Sequence, residues 1–312
     1  MNRISQLALL LLLGTVLPSF SQPLLQQNFN SSTSVGNYFN LSTPTTGQFN
    51  SIAGTAGAGA QVMDIASEAG LVTSLVLSRA GVGSVSVVRT TDLAASVGAV
   101  VLQMRFTPGQ IKAAANSVLF FQLGTNFSAT SQAETGGQVA AQIAVDLRDV
   151  DTAGDLWGWT GSTATFNGFA ANAFPLVTWA VNNSGGPVSY ASPNGTNLTL
   201  ADGKFDLWVG DSGLAVRVFN GSANLNPGIP LRNFKLVSNA GNASYGLDEF
   251  SITKVAAEAQ PTLLFNATPR SASTTNGGTV TLSPSVTGTG SLTYQWLRNG
   301  SMVPGATESQ LV

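Results

Sequence analysis

The chain has 312 residues, of which 43% are hydrophobic and only 9% charged, and its formal net charge is −2. It has neither histidine nor cysteine, which excludes Ser-His-Asp triads, Cys-His dyads, His- or thiolate-ligated zinc, haem and disulfides. With 13 basic against 15 acidic groups it carries no basic footprint for nucleic acid, and its 34 glycines suit short strands joined by turns.

Residues 1–21 read as a secretory signal. Arg3 supplies positive charge, the run from Leu7 to Leu13 is leucine except for Ala8, Gly14 and Pro18 break it, and Ser19 and Ser21 precede a cut before Gln22. The run is far shorter than the roughly 20 residues of a membrane span. The expectation is a chain secreted to the outside or the cell surface, with no membrane span once mature. Asn-x-Ser/Thr sequons such as Asn30 and Asn299 arise by composition in a chain so rich in these residues.

Strand patterns then follow at 24–29, 71–79, 84–90, 99–106, 118–123, 139–147, 176–182, 205–209, 214–219, 234–237 and 247–255. The one helix pattern is short, at 107–115, with Pro108 in its first turn. The Gly/Ala run at 54–60 reads as a flexible loop. So many short strands with little helix argue for a sandwich or barrel.

Two stretches carry chemistry. After the 139–147 strand, Asp149, Asp151 and Asp155 lie close in sequence, and in a turn they could offer oxygens to a calcium ion, which takes six to eight. The alternative is that they cap and turn the chain, with Arg148 partly neutralising them. Next come Trp157 and Trp159, two apart and so on one face of a strand. With Trp208 they are candidates to stack on a sugar. The alternative is that these rings fill the core.

One hairpin can be drawn in register. Phe205, Leu207 and Val209 share a face, Gly210 to Gly213 make the turn, and Leu214, Val216 and Val218 continue the apolar face. Pairing Val209 with Leu214 sets Asp206 opposite Arg217 and Trp208 opposite Ala215. A one-residue slip would bury Asp206 and Arg217, a costly outcome.

The stretch 177–183, then Lys204 to Val209, Asn233 to Leu236 and Gly246-Leu-Asp-Glu-Phe-Ser-Ile252 resembles bacterial secreted modules of the concanavalin A-like lectin/glucanase (laminin-G-like) type. That resemblance implies an all-β, two-sheet antiparallel jelly-roll sandwich over 22–255, its closing strand lying beside the first strand at 24–29. It also makes structural calcium near a sugar site relevant. Beyond a linker at 256–261, residues 277–282 and Leu292-Thr-Tyr-Gln-Trp-Leu-Arg-Asn-Gly300 resemble a bacterial immunoglobulin-like domain, with Trp296 at the central tryptophan of that sandwich. Its first disulfide cysteine would fall near Pro284, so this copy lacks the bridge. Residues 262–312 fall short of the roughly 100 of a complete domain, so an incomplete immunoglobulin-like sandwich is expected there.

Glucanases of the resembled fold set Glu, Asp and Glu two apart on one strand. Glu68, Glu134, Glu249, Glu258 and Glu308 form no such spacing, and adjacent Asp248 and Glu249 would point to opposite faces of a regular strand. No catalytic residue and no enzyme activity are therefore expected, and no cofactor beyond calcium. The expected function is glycan binding by a lectin-like module of an exported protein, its partner a polysaccharide or cell-surface glycan, or other surface proteins. The alternatives are a structural or adhesive spacer and a carbohydrate-active hydrolase or lyase. Lacking histidine, the chain should change protonation little between about pH 6 and 8.

Overall fold

The computed structural model describes residues 7–13, 23–55, 58–67, 70–79, 83–94, 97–108, 118–146, 156–160, 165–170, 173–221, 226–238, 243–255, 262–268, 278–287, 292–298 and 301–312. Contacts divide the chain into a larger unit, residues 18–257, and a smaller one made of residues 1–17 and 258–312. Among the described residues no helix is long and apolar enough to cross a membrane.

The first strand, β1 (Leu7–Leu13), belongs to the smaller unit. The larger unit holds β2 (Pro23–Gln27), β3 (Ser51–Thr55), β4 (Gly59–Ser67), β5 (Gly70–Arg79), β6 (Ser84–Arg89), β7 (Ala99–Pro108), β8 (Val118–Gly124) and β9 (Val139–Asp146). It continues with β10 (Leu156–Thr160), β11 (Thr165–Ala170), β12 (Leu176–Asn182), β13 (Val188–Ala191), β14 (Asn197–Leu200), β15 (Lys204–Val209), β16 (Val216–Gly221), β17 (Asn233–Ser238) and β18 (Ala243–Lys254). Pairings among the described strands are antiparallel and build two large sheets. One runs β11-β10-β9-β8-β17-β6-β3, the other β16-β15-β12-β7-β18-β5-β4 with β2 also on β18.

Period-2 alternation explains how the sheets pack. Val100, Leu102, Met104 and Phe106 of β7 and Val177, Trp179 and Val181 of β12 face inward. Leu119, Phe121 and Leu123 of β8 and Phe234 and Leu236 of β17 meet them in one buried core. Phe106 and Phe121 make an edge contact across the sheets at 5.9 Å, and the tilted rings of Phe234 and Phe250 meet at 4.9 Å. The gap among Phe29, Phe49, Leu75, Phe234 and Phe250 is only about 10 Å³, roughly one water. The expected neighbourhood of opening and closing strands is present: Gln27, Gln26 and Leu25 of β2 pair with Phe250, Ser251 and Ile252 of β18.

Several expectations need correction. The Gly/Ala run lies largely in strands, since Gly54 and Thr55 end β3 and Gly59 and Ala60 begin β4. Thr107 and Pro108 finish β7 rather than start a helix, because they pair with Gly246 and Tyr245 of β18; residues 109–115 lie outside the described residues. In the drawn hairpin, Val209 pairs with Val216 and Trp208 with Arg217, and a bulge then puts Leu207 opposite Phe219. The turn runs on to Ala215, so Leu214 is 82% exposed instead of continuing the apolar face.

The smaller unit contains a sheet of β1, β21 (Leu292–Arg298) and β22 (Ser301–Met302), and a pair of β19 (Thr262–Thr268) with β20 (Ser283–Thr287). The apolar run expected in a leader is thus a strand, Leu9 lying opposite Trp296. Trp296 is buried, its Nε1 donating to the Glu308 carbonyl at 2.9 Å. An immunoglobulin-like sandwich is not shown by the described residues of this unit.

Residues 125–138 cover the outer face of the seven-stranded sheet over β6, β8 and β17. Lys235 of β17 is fully buried there, and its Nζ donates to Glu134, to the Gln132 carbonyl at 3.0 Å and to Ser128. Burial alone would raise the Glu134 carboxyl, but hydrogen bonds from Lys235 and Ser128 hold it below its ordinary value. The Glu134 contribution is therefore complete above the ordinary carboxylate range and is lost as pH falls through that lowered value, while burial lowers the Lys235 ammonium despite its bond to Glu134. Lys235→Ala should cost about 3–5 kcal/mol in urea unfolding by stranding Glu134, whereas Lys235→Met with Glu134→Leu should recover most of the loss.

Candidate functional site

The other outer face, on the eight-stranded sheet, is covered at one end among the described residues. At one end the β13–β14 hairpin packs Val188, Tyr190 and Leu200 on Ala99 and Ala180. Under it lies Asp206, buried opposite the main core. The Tyr190 hydroxyl donates to Asp206 Oδ2 at 2.5 Å and accepts the Trp208 Nε1–H at 2.9 Å. Asn220 donates to the other carboxylate oxygen. Arg217 pairs with Asp206 at 3.5 Å, as the drawn hairpin anticipates despite its changed register, and lies 5.6 Å above the Trp208 ring. Asp206 keeps its expected face, opposite the core residues Phe205, Leu207 and Val209, and its burial under the β13–β14 hairpin is tolerated because Tyr190, Asn220 and Arg217 satisfy the carboxylate. Burial, then the bond to Asp206, pushes the Tyr190 hydroxyl far above its ordinary value.

The hairpin's own turn fixes the next element. Asn194 makes two bonds to the Ala215 backbone at 2.8 and 3.0 Å, and the Pro193 carbonyl accepts from Gly213 N–H at 3.2 Å and Ser212 Oγ at 3.1 Å. Gly213 has φ +83°, a conformation open to glycine at no steric cost. This clamp carries Asp211 to Arg105 of β7, where Nη1 donates to Asp211 Oδ1 at 2.9 Å and to the Phe174 carbonyl at 3.1 Å. Arg105 Nε donates to Glu249 Oε2, also at 2.9 Å. Burial works against the guanidinium charge, but Asp211 and Glu249 outweigh it and hold Arg105 more firmly protonated.

Glu249 reaches Arg105 through a bulge. In β18, Asp248 pairs with Arg105 and Ser251 with Gln103, the register shifting between them. Leu247 and Phe250 both enter the core, which leaves two residues in the bulge where a regular strand would leave one on each face. Asp248 and Glu249 therefore do not point to opposite faces as expected. Glu249 takes φ +46° and its N–H donates to Asp248 Oδ1 at 2.7 Å. Asp248 is only 6% exposed. Burial, with the neighbouring Glu249 charge, raises its carboxyl to about 6, against the bond from the Glu249 N–H and the pull of Arg105. A group thus titrates at the acid edge of the range in which little change is expected. Beside the cluster, Gln103 Nε2 donates to Thr178 Oγ1 at 3.1 Å. Gln103, Thr178, Arg105, Asp211, Asp248 and Glu249 form one polar strip.

Of the expected site residues, Trp208 lies at the hairpin end of this face, 9% exposed, with its N–H committed to Tyr190. It cannot offer a free ring face and a free N–H together. The backbones of Trp157 and Trp159 lie in β10, opposite Phe169 and Phe166 of β11, their side chains outside the described set. Asp149, Asp151 and Asp155 lie outside the described residues. Among the described residues no three Asp or Glu side chains are arranged to hold a metal ion. Sequence reasoning missed Arg105, Asp211 and the bulge. One signal was available: apolar residues at 247, 250 and 252 break the period of two at the spacing a bulge requires.

No protein-family model and no curated protein sequence matches the chain. Its fold is similar to that of the cellulose-induced protein Cip1, with a TM-score of 0.41 and 12% identity over 73% of this chain and 96% of that one. It is also similar to the catalytic domain of a glycoside hydrolase family 131 protein from Coprinopsis cinerea, with a TM-score of 0.42 and 9% identity over 76% and 98%. A legume lectin-like domain from Entamoeba histolytica matches with a TM-score of 0.36 and 10% identity over 64% and 91%.

Two stability measurements test this geometry. Tyr190→Phe removes the donor to a buried carboxylate and should cost about 1.5–3 kcal/mol in urea unfolding. Asp248 behaves oppositely. A carboxyl raised in the folded state favours folding while protonated, so its contribution fades as pH rises from about 4 to about 6 and stays lost above. Asp248→Asn should flatten that window in thermal melts and stabilise the protein at pH 7 by about 1 kcal/mol, water at the site screening the remainder.

Proposed function

We propose that the larger unit binds glycan on the polar strip of the eight-stranded sheet, as a recognition module of an exported protein. The observation that carries this reading is the Glu249 bulge. A non-glycine residue in the left-handed region costs about 1–2 kcal/mol. The ion pairs it secures are half-exposed, with side-chain exposures of 26% for Arg105, 62% for Asp211 and 55% for Glu249, and such pairs contribute about 0–1 kcal/mol. Stability does not account for the arrangement, and strain of this kind collects at ligand sites. The chemistry points to sugar: fixed planar donors and acceptors in a row match the vicinal hydroxyls of a saccharide, orientation being set by a few placed polar groups.

Export through the leader at 1–21 and a tail acting as an immunoglobulin-like spacer complete the proposal. Amino-terminal sequencing of the exported protein is expected to begin at Gln22. A second reading, carbohydrate hydrolysis, is favoured by one observation: Asp248, a carboxyl raised to about 6, adjoins Glu249, and a raised acid beside an ionised carboxylate is an acid–base pattern. New reducing ends from a retained polysaccharide at pH 5–7 would establish it, and their absence leaves recognition alone.

Retention of the full chain on a panel of insoluble and immobilised polysaccharides tests the main reading. At least one should retain it, and Glu249→Gly should weaken retention about tenfold or more while leaving thermal stability equal or higher, because glycine relieves the left-handed backbone. Failure of every polysaccharide to retain the protein, or retention unchanged in Glu249→Gly, overturns it.

A further inference from the structure

The charge balance at the bulge restricts what a bound sugar can carry. Arg105 already serves Asp211, Glu249 and the Phe174 carbonyl, so its positive charge is matched twice over and offers little to an anion. Asp248 is the third carboxylate and has no cation of its own. The bond it accepts comes from the Glu249 backbone.

An independent group at the same place is also unmatched. Ser74 of β5 is fully buried and its Oγ has no hydrogen-bond partner. The β5–β18 ladder ends with Leu75 opposite Leu247, both in the core. Ser74 and Asp248 come next on the facing strands, and by alternation both turn to the outer face. Beyond this point β18 leaves β5 and pairs with β2, from Phe250 opposite Gln27, so the ladder does not continue past Ser74. A buried hydroxyl left unpaired costs about 1–3 kcal/mol and calls for a partner from outside the chain.

The partner's chemistry follows from what the corner lacks. Asp248, the remaining oxygen of Glu249 and Ser74 Oγ mostly accept, in a net negative setting. An ammonium brings three N–H donors, no acceptor and a positive charge. A neutral hydroxyl brings a single donor. A uronate or sulfate brings only acceptors and like charge, which is repelled.

We propose that the Ser74–Asp248 corner is a subsite for the amino group of a glucosamine-type unit, so that the protein prefers amine-bearing glycans to neutral ones and rejects acidic ones. This rests on the glycan reading above and goes further by naming the sugar class.

The full chain should be tested at about pH 6.5, where the sugar amine and the Asp248 carboxylate both carry substantial charge, on three polymers of similar length: β-linked glucosamine, its N-acetylated form and polygalacturonate. The glucosamine polymer should be retained about tenfold more tightly than the acetylated one, and polygalacturonate should not be retained. Asp248→Asn, which should fold at least as well as the parent, should bring the ratio of the two affinities, glucosamine polymer over acetylated polymer, to about one. Asp202→Asn alters net charge equally at an exposed site outside the strip, where Oδ1 accepts the Gly185 N–H, and should keep the preference. Equal loss in both variants would reduce the effect to overall charge and overturn the proposal, as would retention of polygalacturonate. If the acetylated polymer binds and the amine form binds no better, the subsite is wrong and the glycan reading stands. If no polymer binds, both fall.

Discussion

The larger unit depends on one strand changing partners. Along one edge β18 stays with β7 from Tyr245 to Lys254, while along the other it pairs first with β5 and then with β2. Through β2 it joins the opening of the domain to its end, and its inward residues Tyr245, Leu247, Phe250 and Ile252 sit in the main core. Two partners that meet one strand in succession need not share a register. The bulge at Asp248 and Glu249, a register shift against β7, lies where the partner changes, and both carboxylates turn to the face where Arg105 stands. Closure of the core and assembly of the polar strip are thus one event.

The energetics fit that picture. The bulge carries a left-handed glutamate and a largely buried carboxyl whose ionised form opposes folding at neutral pH. Neither is offset locally by the half-exposed ion pairs. Nearby burial supplies what is missing: Phe250 is sealed between Phe49 and Phe234, and full burial of such a side chain contributes about 1.5–3 kcal/mol. A well-filled core is what lets the outer face hold an arrangement that stability alone would not select.

The sequence made the strands legible wherever alternation or a continuous apolar run was strong, as in β7, β8, β12 and β15, because period two is a local property. The neighbourhood of first and last strands was also legible, through the resemblance carried by the closing motif. What failed depended on distant contacts. The turn after Val209 looked four residues long, yet Asn194, on a separate hairpin, holds its backbone out to Ala215 and so resets the register of β16. Asp206 looked too costly to bury, and only Tyr190 and Asn220 make its burial affordable. Nothing short-range announces that four-residue strands rich in Ser, Asn and Thr will form a third layer. Arg105 read as an ordinary outward residue because its partners come from 106 and 144 positions away.

The two outer faces show why an ion pair is a lock in one place and a site in another. Lys235 and Glu134 are shut beneath residues 125–138, where the lysine meets a carboxylate, a carbonyl and a hydroxyl at once. Removing such a pair from water is costly, and only full satisfaction makes it tolerable, so nothing from outside can enter without breaking it. Arg105 and its carboxylates are held as firmly in position, by a clamped turn on one side and a bulge on the other, but no segment among the described residues closes over them. The β13–β14 hairpin stops at Trp208 and Tyr190 and leaves Arg105, Asp211 and Glu249 beyond it in contact with water. Preorganised polar groups that the protein positions and then leaves open are what a hydroxyl-rich ligand requires, since the ordering of the side chains has been completed before it arrives.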